Sequence, residues 1–315
     1  MPKLFIALIL LAGLSVPAFS EQVPEASDPG VRHYLKIPTG GLANFMRRPS
    51  VPNPMISHHR GGPVPGMPEN SLAAMDNALG YGYGLMEVDV AQLSDGTLIL
   101  MHDDTLQRTS TGKGALKDKT WNDIKDLHLK DNDGNVTKFR IPTLETALSW
   151  SIGRTILTLD IKRGTDFKKV AELVQKTGAG DYIMSIAYSI QQARAFYKIA
   201  PEMPISIGLS NQQDIDELDD SGIPDRLVVA WTGTRLLEPA FYTKLHQRGW
   251  RTIVGTLGRG AGAIDNQIRD ETTNISYRDI VARGADIIAT DRFWAVQQDI
   301  RNPNLFIFTQ QRLAK

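Results

Sequence analysis

Several charged residues interrupt apolar runs in a way that suits phosphoryl chemistry. Glu87 and Asp89 stand two apart in the stretch Leu85–Val90, so on a strand both point to one side. Two carboxylates facing a low-dielectric space repel, and ionised together they call for a cation. Asp160 closes a third apolar run and supplies another oxygen. Glu87, Asp89 and Asp160 together describe a hard-cation site for Mg²⁺ or Ca²⁺, with places left for water and a phosphate oxygen. The other reading of a bare Glu-x-Asp pair, two carboxylates on a solvent face, is outweighed by the neighbouring clusters.

Two histidines keep this company. His59 is followed by Arg60, and His102 by Asp103. A pair of imidazoles suits phosphodiester cleavage, one taking a proton from the attacking oxygen and the other giving one to the leaving oxygen. Arg60 can grip a phosphate with two parallel bonds, and Lys162, two residues past Asp160, adds a point charge. His58 adjoins His59, so on a strand only one of them faces the site. His33, His128 and His246 lack a charged partner pattern and receive no role. In Pro68-Glu69-Asn70-Ser71, Asn70 or Ser71 is suited to cap a helix. Glu69 is either a first-turn acid favoured by the helix dipole or a residue reaching the metal's surroundings. The run Arg108–Gly114 lacks the glycine and hydroxyl spacing of a nucleotide P-loop, which excludes that reading.

The elements that must carry these residues alternate. Strands are predicted at Met55–His58, Leu85–Val90, Thr155–Ile161, Tyr182–Ala187, Pro204–Gly208, Leu227–Trp231, Arg251–Thr256 and Asp286–Ala289. Helical spacing marks Glu69–Leu79, Leu144–Trp150, Asp166–Gln175, Ile190–Ile199, Gln212–Asp219, Pro239–Gln247 and Ser276–Arg283. Eight such units in a chain of 315 residues favour a closed (β/α)8 TIM barrel over an open doubly wound sheet. The interval between the second and third strands is about twice the usual, which implies an insertion over residues 93–140 above the site. It holds a hairpin signal at Ser94–Thr97 and an amphipathic piece at Trp121–Leu127.

Composition sets outer limits. A 42% apolar and 22% charged chain is globular, and 35 basic against 35 acidic residues leave no field to recruit nucleic acid or an anionic membrane. The absence of cysteine excludes disulfides and lipidation at a terminal Cys. Lys3, the apolar run Leu4–Leu14 and the small residues before Ser20 read as a signal peptide over 1–20. The expectation is an exported protein, periplasmic or secreted, with no membrane anchor after cleavage. Residues 21–54 are expected to form an extended arm, and 55–315 the barrel domain.

The motifs His59-Arg60-Gly61, Pro68-Glu69-Asn70-Ser71, Glu87-Val88-Asp89-Val90 and His102-Asp103-Asp104-Thr105-Leu106-Gln107-Arg108-Thr109 resemble the glycerophosphodiester phosphodiesterase family in identity, order and spacing. The likeness continues through Ile141-Pro142-Thr143-Leu144-Glu145, Leu159-Asp160-Ile161-Lys162 and Gly284–Arg292. It implies a TIM barrel with an insertion after the second strand and one divalent metal on Glu87, Asp89 and Asp160. It also implies His59 and His102 as the acid–base pair, with Arg60 and Lys162 on the phosphate. The implied substrate is a small-molecule glycerophosphodiester, cut to glycerol 3-phosphate and an alcohol through a cyclic phosphate. Two positions depart from the pattern. Asp160 stands where the family has Glu, and Val254-Gly255-Thr256 stands where its seventh strand carries Trp and then Asn, which would widen the pocket floor. The competing readings are a phospholipase D-like or phosphoinositide-type enzyme on intact or lyso-lipids and a non-catalytic exported binding protein. The polar insertion (Lys117, Asp118, Lys119, Lys130, Asp131, Asp133) counts against the first, and the intact histidine pair against the second.

Overall fold

In the computed structural model, residues 22–26 and 30–300 are described; the expected signal peptide lies outside them. Apolar runs form eight parallel strands: β1 (Met55–His58), β2 (Gly84–Gln92), β6 (Ile156–Ile161), β7 (Ile183–Ala187), β8 (Ile205–Gly208), β9 (Val228–Trp231), β10 (Arg251–Gly255) and β11 (Ile287–Thr290). They pair in sequence order, and β11 pairs with β1 and β1 with β2, so the sheet closes into a barrel. A helix or pair of helices follows each barrel strand, the (β/α)8 arrangement expected from the alternation. Six of these helices begin at a Ser, Thr, Asp or Asn (Ser71, Thr143, Asp166, Ser189, Asn211, Ser276) whose side chain accepts a backbone N–H of the first turn.

Strand alternation sorts the side chains into two cores. Met55, Leu85, Ile156, Met184, Val229, Ile253 and Ile287 pack inside the barrel. Their neighbours Ile56, Met86, Leu157, Ile183, Val228, Val254 and Ile288 pack outward against the helices. Glu87 and Asp89 share the inward face with Leu85, and Asp160 with Ile156.

The arm over 21–54 is not merely extended. It contains a short helix, Leu42–Phe45, and buries Ile37, Leu42 and Met46 in the N-terminal end of the barrel. The Tyr182 hydroxyl lies 3.2 Å from the Ile37 amide, whose N–H it accepts, and donates to the Ile37 carbonyl. An arm that supplies three apolar side chains to a shared core is part of the domain.

The insertion opens with the expected hairpin: β3 (Leu98–Leu100) runs back along β2, with Gln92 opposite Leu98. Gly96 turns the chain at φ 86°. Beyond it lie the helix Trp121–Ile124 and a two-stranded ribbon, β4 (His128–Lys130) with β5 (Val136–Arg140), which the sequence reading missed. Leu93, Ile99, Met101, Leu106, Leu116, Ile124 and Leu129 form its own small core. After β10 the chain forms a helix, Ile264–Arg269, ahead of the one at Tyr277–Arg283. No helix among the described residues is long and apolar enough to cross a membrane.

Candidate active site at the barrel mouth

The turn after β1 is built by three consecutive residues with positive φ: Arg60 at 52°, Gly61 at 77° and Gly62 at 73°. A Cβ on Gly61 would stand 2.7 Å from the Met75 side chain, so glycine is required there twice over. Holding Arg60 left-handed costs about 1–3 kcal/mol. In return its N–H donates to the Glu87 carboxylate at 2.7 Å, and its carbonyl accepts from the Asn70 N–H.

Glu87, Asp89 and Asp160 each offer an oxygen within 4.8 Å of the others. β2 and β6 are in register, Asp89 beside Asp160, so the meeting of two carboxylates follows directly from strand pairing. Burial and the nearby Asp89 charge push the Glu87 carboxyl up. Burial also opposes charge on Asp89, but the Lys162 ammonium and the Asn70 amide outweigh it and hold the carboxyl below its ordinary range. The Oδ1 of Asp160 is buried without a hydrogen-bond partner. Three converging carboxylates, one with an orphaned buried oxygen, fit a hard divalent cation. The Lys162 Nζ lies 2.6 Å from both Asp89 Oδ1 and Asp160 Oδ2, a resident positive charge between two of the three acids.

Both histidines are held by a carboxylate through Nδ1. His59 Nδ1 is 2.6 Å from Asp291 Oδ1 and His102 Nδ1 is 2.7 Å from Asp103 Oδ1. An Nδ1–H donated to a carboxylate leaves Nε2 open to accept a proton. Burial works against the charged form of His59, but the Asp291 hydrogen bond and the Glu87 charge override it and raise its pKa. His58 has the opposite fate. It faces outward, Nδ1 on the Leu85 carbonyl and its ring against Phe293, and burial lowers its pKa to about 4. The sequence reading of His58 as a bystander is thus explained by alternation.

The first of the two readings of Glu69 is corrected. The helix begins at Leu72 with Ser71 as its cap, so Glu69 is not in the first turn. Its carboxylate, 3% exposed, instead lies against Arg60 at 3.1 Å and Arg108 at 2.7 Å. Arg60 keeps a buried Nε that makes no hydrogen bond and lies 3.8 Å from Asp89 Oδ2. His246 does have an acidic partner, Asp286 at 3.0 Å.

Sequence reasoning missed Asn70, Arg108 and Asp291. Asn70, left-handed at φ 57°, donates to Asp89 Oδ2 at 2.6 Å and accepts the Asp89 N–H, so it positions a carboxylate rather than a helix end. Asp291 follows the last barrel strand just as His59 follows the first, and that polar break was the available signal. Asp291 is itself fastened by the Gly258 N–H and, through its own N–H, by the buried Asp265. The expectation of a widened floor at Gly255 is also corrected. A Cβ there would meet the Trp231 ring at 2.5 Å, so an indole from β9 already occupies the space.

A family model described as the Glycerophosphoryl diester phosphodiesterase family matches residues 59–197. A solved glycerophosphoryl diester phosphodiesterase from Parabacteroides distasonis superposes with a TM-score of 0.77 at 32% identity, over 86% of this chain and 94% of that one. The chain belongs to the glycerophosphoryl diester phosphodiesterase family. Curated relatives include a glycerophosphodiester phosphodiesterase of Caldanaerobacter subterraneus, 29% identical over 49% of this chain and 65% of the relative. Mouse glycerophosphodiester phosphodiesterase 1 is 36% identical over 36% of this chain and 35% of its own length. The chain thus spans less than two thirds of these curated relatives. A phosphodiesterase of Oleispira antarctica, solved with the product sn-glycerol-3-phosphate, shares the fold at TM-score 0.60 and 18% identity, over 82% of this chain and 98% of that one.

Proposed function

We propose that this phosphodiesterase-family barrel hydrolyses glycerophosphodiesters to glycerol 3-phosphate and an alcohol, with one Mg²⁺ or Ca²⁺ held by Glu87, Asp89 and Asp160. The observation that carries the reading is the pair of carboxylate-held histidines, His59 on Asp291 and His102 on Asp103, beside a three-carboxylate cluster. A non-catalytic binder has no use for two Nε2 atoms set up to move protons.

In this scheme the glycerol hydroxyl next to the phosphate is the nucleophile. One imidazole Nε2 takes its proton as the new O–P bond forms. The P–O bond to the alcohol breaks, and the other imidazole, protonated, gives its proton to the leaving oxygen. Water then opens the cyclic phosphate with the two roles reversed. A hydroxyl on the substrate itself brings the proximity advantage of an intramolecular reaction. Bound at the carboxylates, the cation would polarise a phosphoryl oxygen. Arg60, whose guanidinium lies beside the acids, stabilises charge gathering on the non-bridging oxygens. Lys162, whose ammonium rests on Asp89 and Asp160, would add a point charge beside the phosphate. Export after cleavage at Ser20 belongs to the same proposal.

EDTA-treated protein should release glycerol 3-phosphate from a panel of glycerophosphodiesters only when Mg²⁺ or Ca²⁺ is restored. Turnover of lysolipids alone, or undiminished turnover in EDTA, would overturn this reading.

A further inference from the structure

Five side chains form an unbroken hydrogen-bonded line from one histidine to the arginine beside the acids. His102 bonds Asp103, and Arg108 takes both Asp103 oxygens, Nε on Oδ2 at 2.6 Å and Nη2 on Oδ1 at 2.8 Å. The same guanidinium takes both oxygens of Glu69, at 2.8 and 2.7 Å. Arg60 Nη1 shares those oxygens at 3.1 Å.

We propose that Arg108 is a positioning residue for hydrolysis, locking Asp103 so that His102 keeps its proton on Nδ1 and presents Nε2 to the substrate. The proposal rests on the reading of His102 given under Proposed function. Three physical points carry it. First, His102 and Asp103 lie in a stretch with neither helix nor strand, between β3 and the helical turn at Leu116–Asp118. No regular ladder orients their side chains, so a side-chain tie has to. Second, four bonds to two carboxylates employ most of the five N–H donors of a guanidinium, which leaves Arg108 poorly suited to grip a phosphate. Its planar fork suits two carboxylates edge-on, a task a lysine ammonium cannot reproduce. Third, Glu69 comes from the turn ahead of the first barrel helix while Asp103 and His102 come from the insertion. Arg108 is therefore the joint that fixes an insertion-borne histidine against the barrel. The Arg108 hydrogen bonds, with those of His102, hold Asp103 well below the usual carboxylate range despite its partial burial, so the anion that orients His102 is present at neutral pH.

Removing the Arg108 side chain leaves Glu69 still paired with Arg60, so the barrel is expected to fold. In Arg108→Gln, kcat on a glycerophosphodiester should fall about 10- to 100-fold, with KM within about threefold. Arg108→Lys should fall between this variant and the unaltered protein. In Arg108→Ala, added guanidinium chloride at millimolar concentration should restore part of kcat. ¹⁵N spectra should show His102 as the Nδ1–H tautomer in the unaltered protein and a mixture with Nε2–H in Arg108→Gln. An unchanged tautomer together with an unchanged kcat would overturn the proposal. So would a rise in KM alone, which would make Arg108 a substrate-binding group, or a kcat loss that guanidinium leaves untouched. If the unaltered protein cleaves no glycerophosphodiester, the functional reading fails, and the tautomer measurement still decides whether Arg108 holds His102.

Discussion

The two ends of the barrel's interior are made by the same strands and could hardly differ more. At the N-terminal end, Met55, Leu85, Ile156 and Ile253 meet Ile37, Leu42 and Met46 of the arm in a continuous apolar plug. At the C-terminal end, the inward positions a few residues further along carry Glu87, Asp89 and Asp160, ringed by Arg60, Lys162 and two histidines. Leu85, Glu87 and Asp89 lie on one face of one strand, so it is distance along the strand that separates packing from chemistry. The lower end supplies burial. The upper end holds like charges together and keeps Arg60 and Asn70 in left-handed backbone, costs that a well-packed base can sustain.

That division can be broken from either side. The largest effect is expected at the mouth: His59→Ala should lower metal-dependent turnover about 10²- to 10⁴-fold while circular dichroism and Tm stay near those of the unaltered protein. Loss of fold in that variant would mean that the mouth also carries stability. At the base, Leu42→Ala empties a 3% exposed site and should cost about 3 kcal/mol in urea denaturation, with kcat unchanged. A comparable loss of kcat would show the two ends coupled.

The third test concerns a histidine on the outer face, beside the site yet not of it. His58 has a pKa of about 4 in the folded protein against 6.5 ordinarily. Between those values the unfolded chain binds a proton that the folded one refuses, so stability falls as pH drops from 6.5 toward 4 and flattens below. The contribution is on the order of 3 kcal/mol. His58→Leu should flatten this part of the stability-against-pH curve, whatever its absolute stability. A slope unaltered in that variant would place the titration elsewhere.

Much of this is legible in the sequence. The alternation of apolar runs and helical stretches announced the barrel, because parallel strands buried on both faces leave continuous hydrophobic signatures. The doubled interval after β2 announced the insertion, and polar residues interrupting strand ends marked His59, Glu87, Asp89 and Asp160. The ribbon of β4 and β5 went unseen because Val136–Arg140 is half exposed and lacks an apolar run. The arm's short helix was hidden among Pro and Gly, its three anchoring residues too sparse to show periodicity.

What the sequence determines by itself, then, is the kind of chemistry and the scaffold, since both rest on residue type and on local spacing of two or about 3.6. What only the tertiary structure decides is which partner holds each reactive group. His59 is tied to Asp291 and Asp89 to Asn70, while Glu69 joins Arg60 to an arginine 39 residues further on. These pairs are separated along the chain by whole strands and helices, and no local pattern records them. Closure of the barrel brings the last strand beside the first, and the docked insertion brings Arg108 to Glu69.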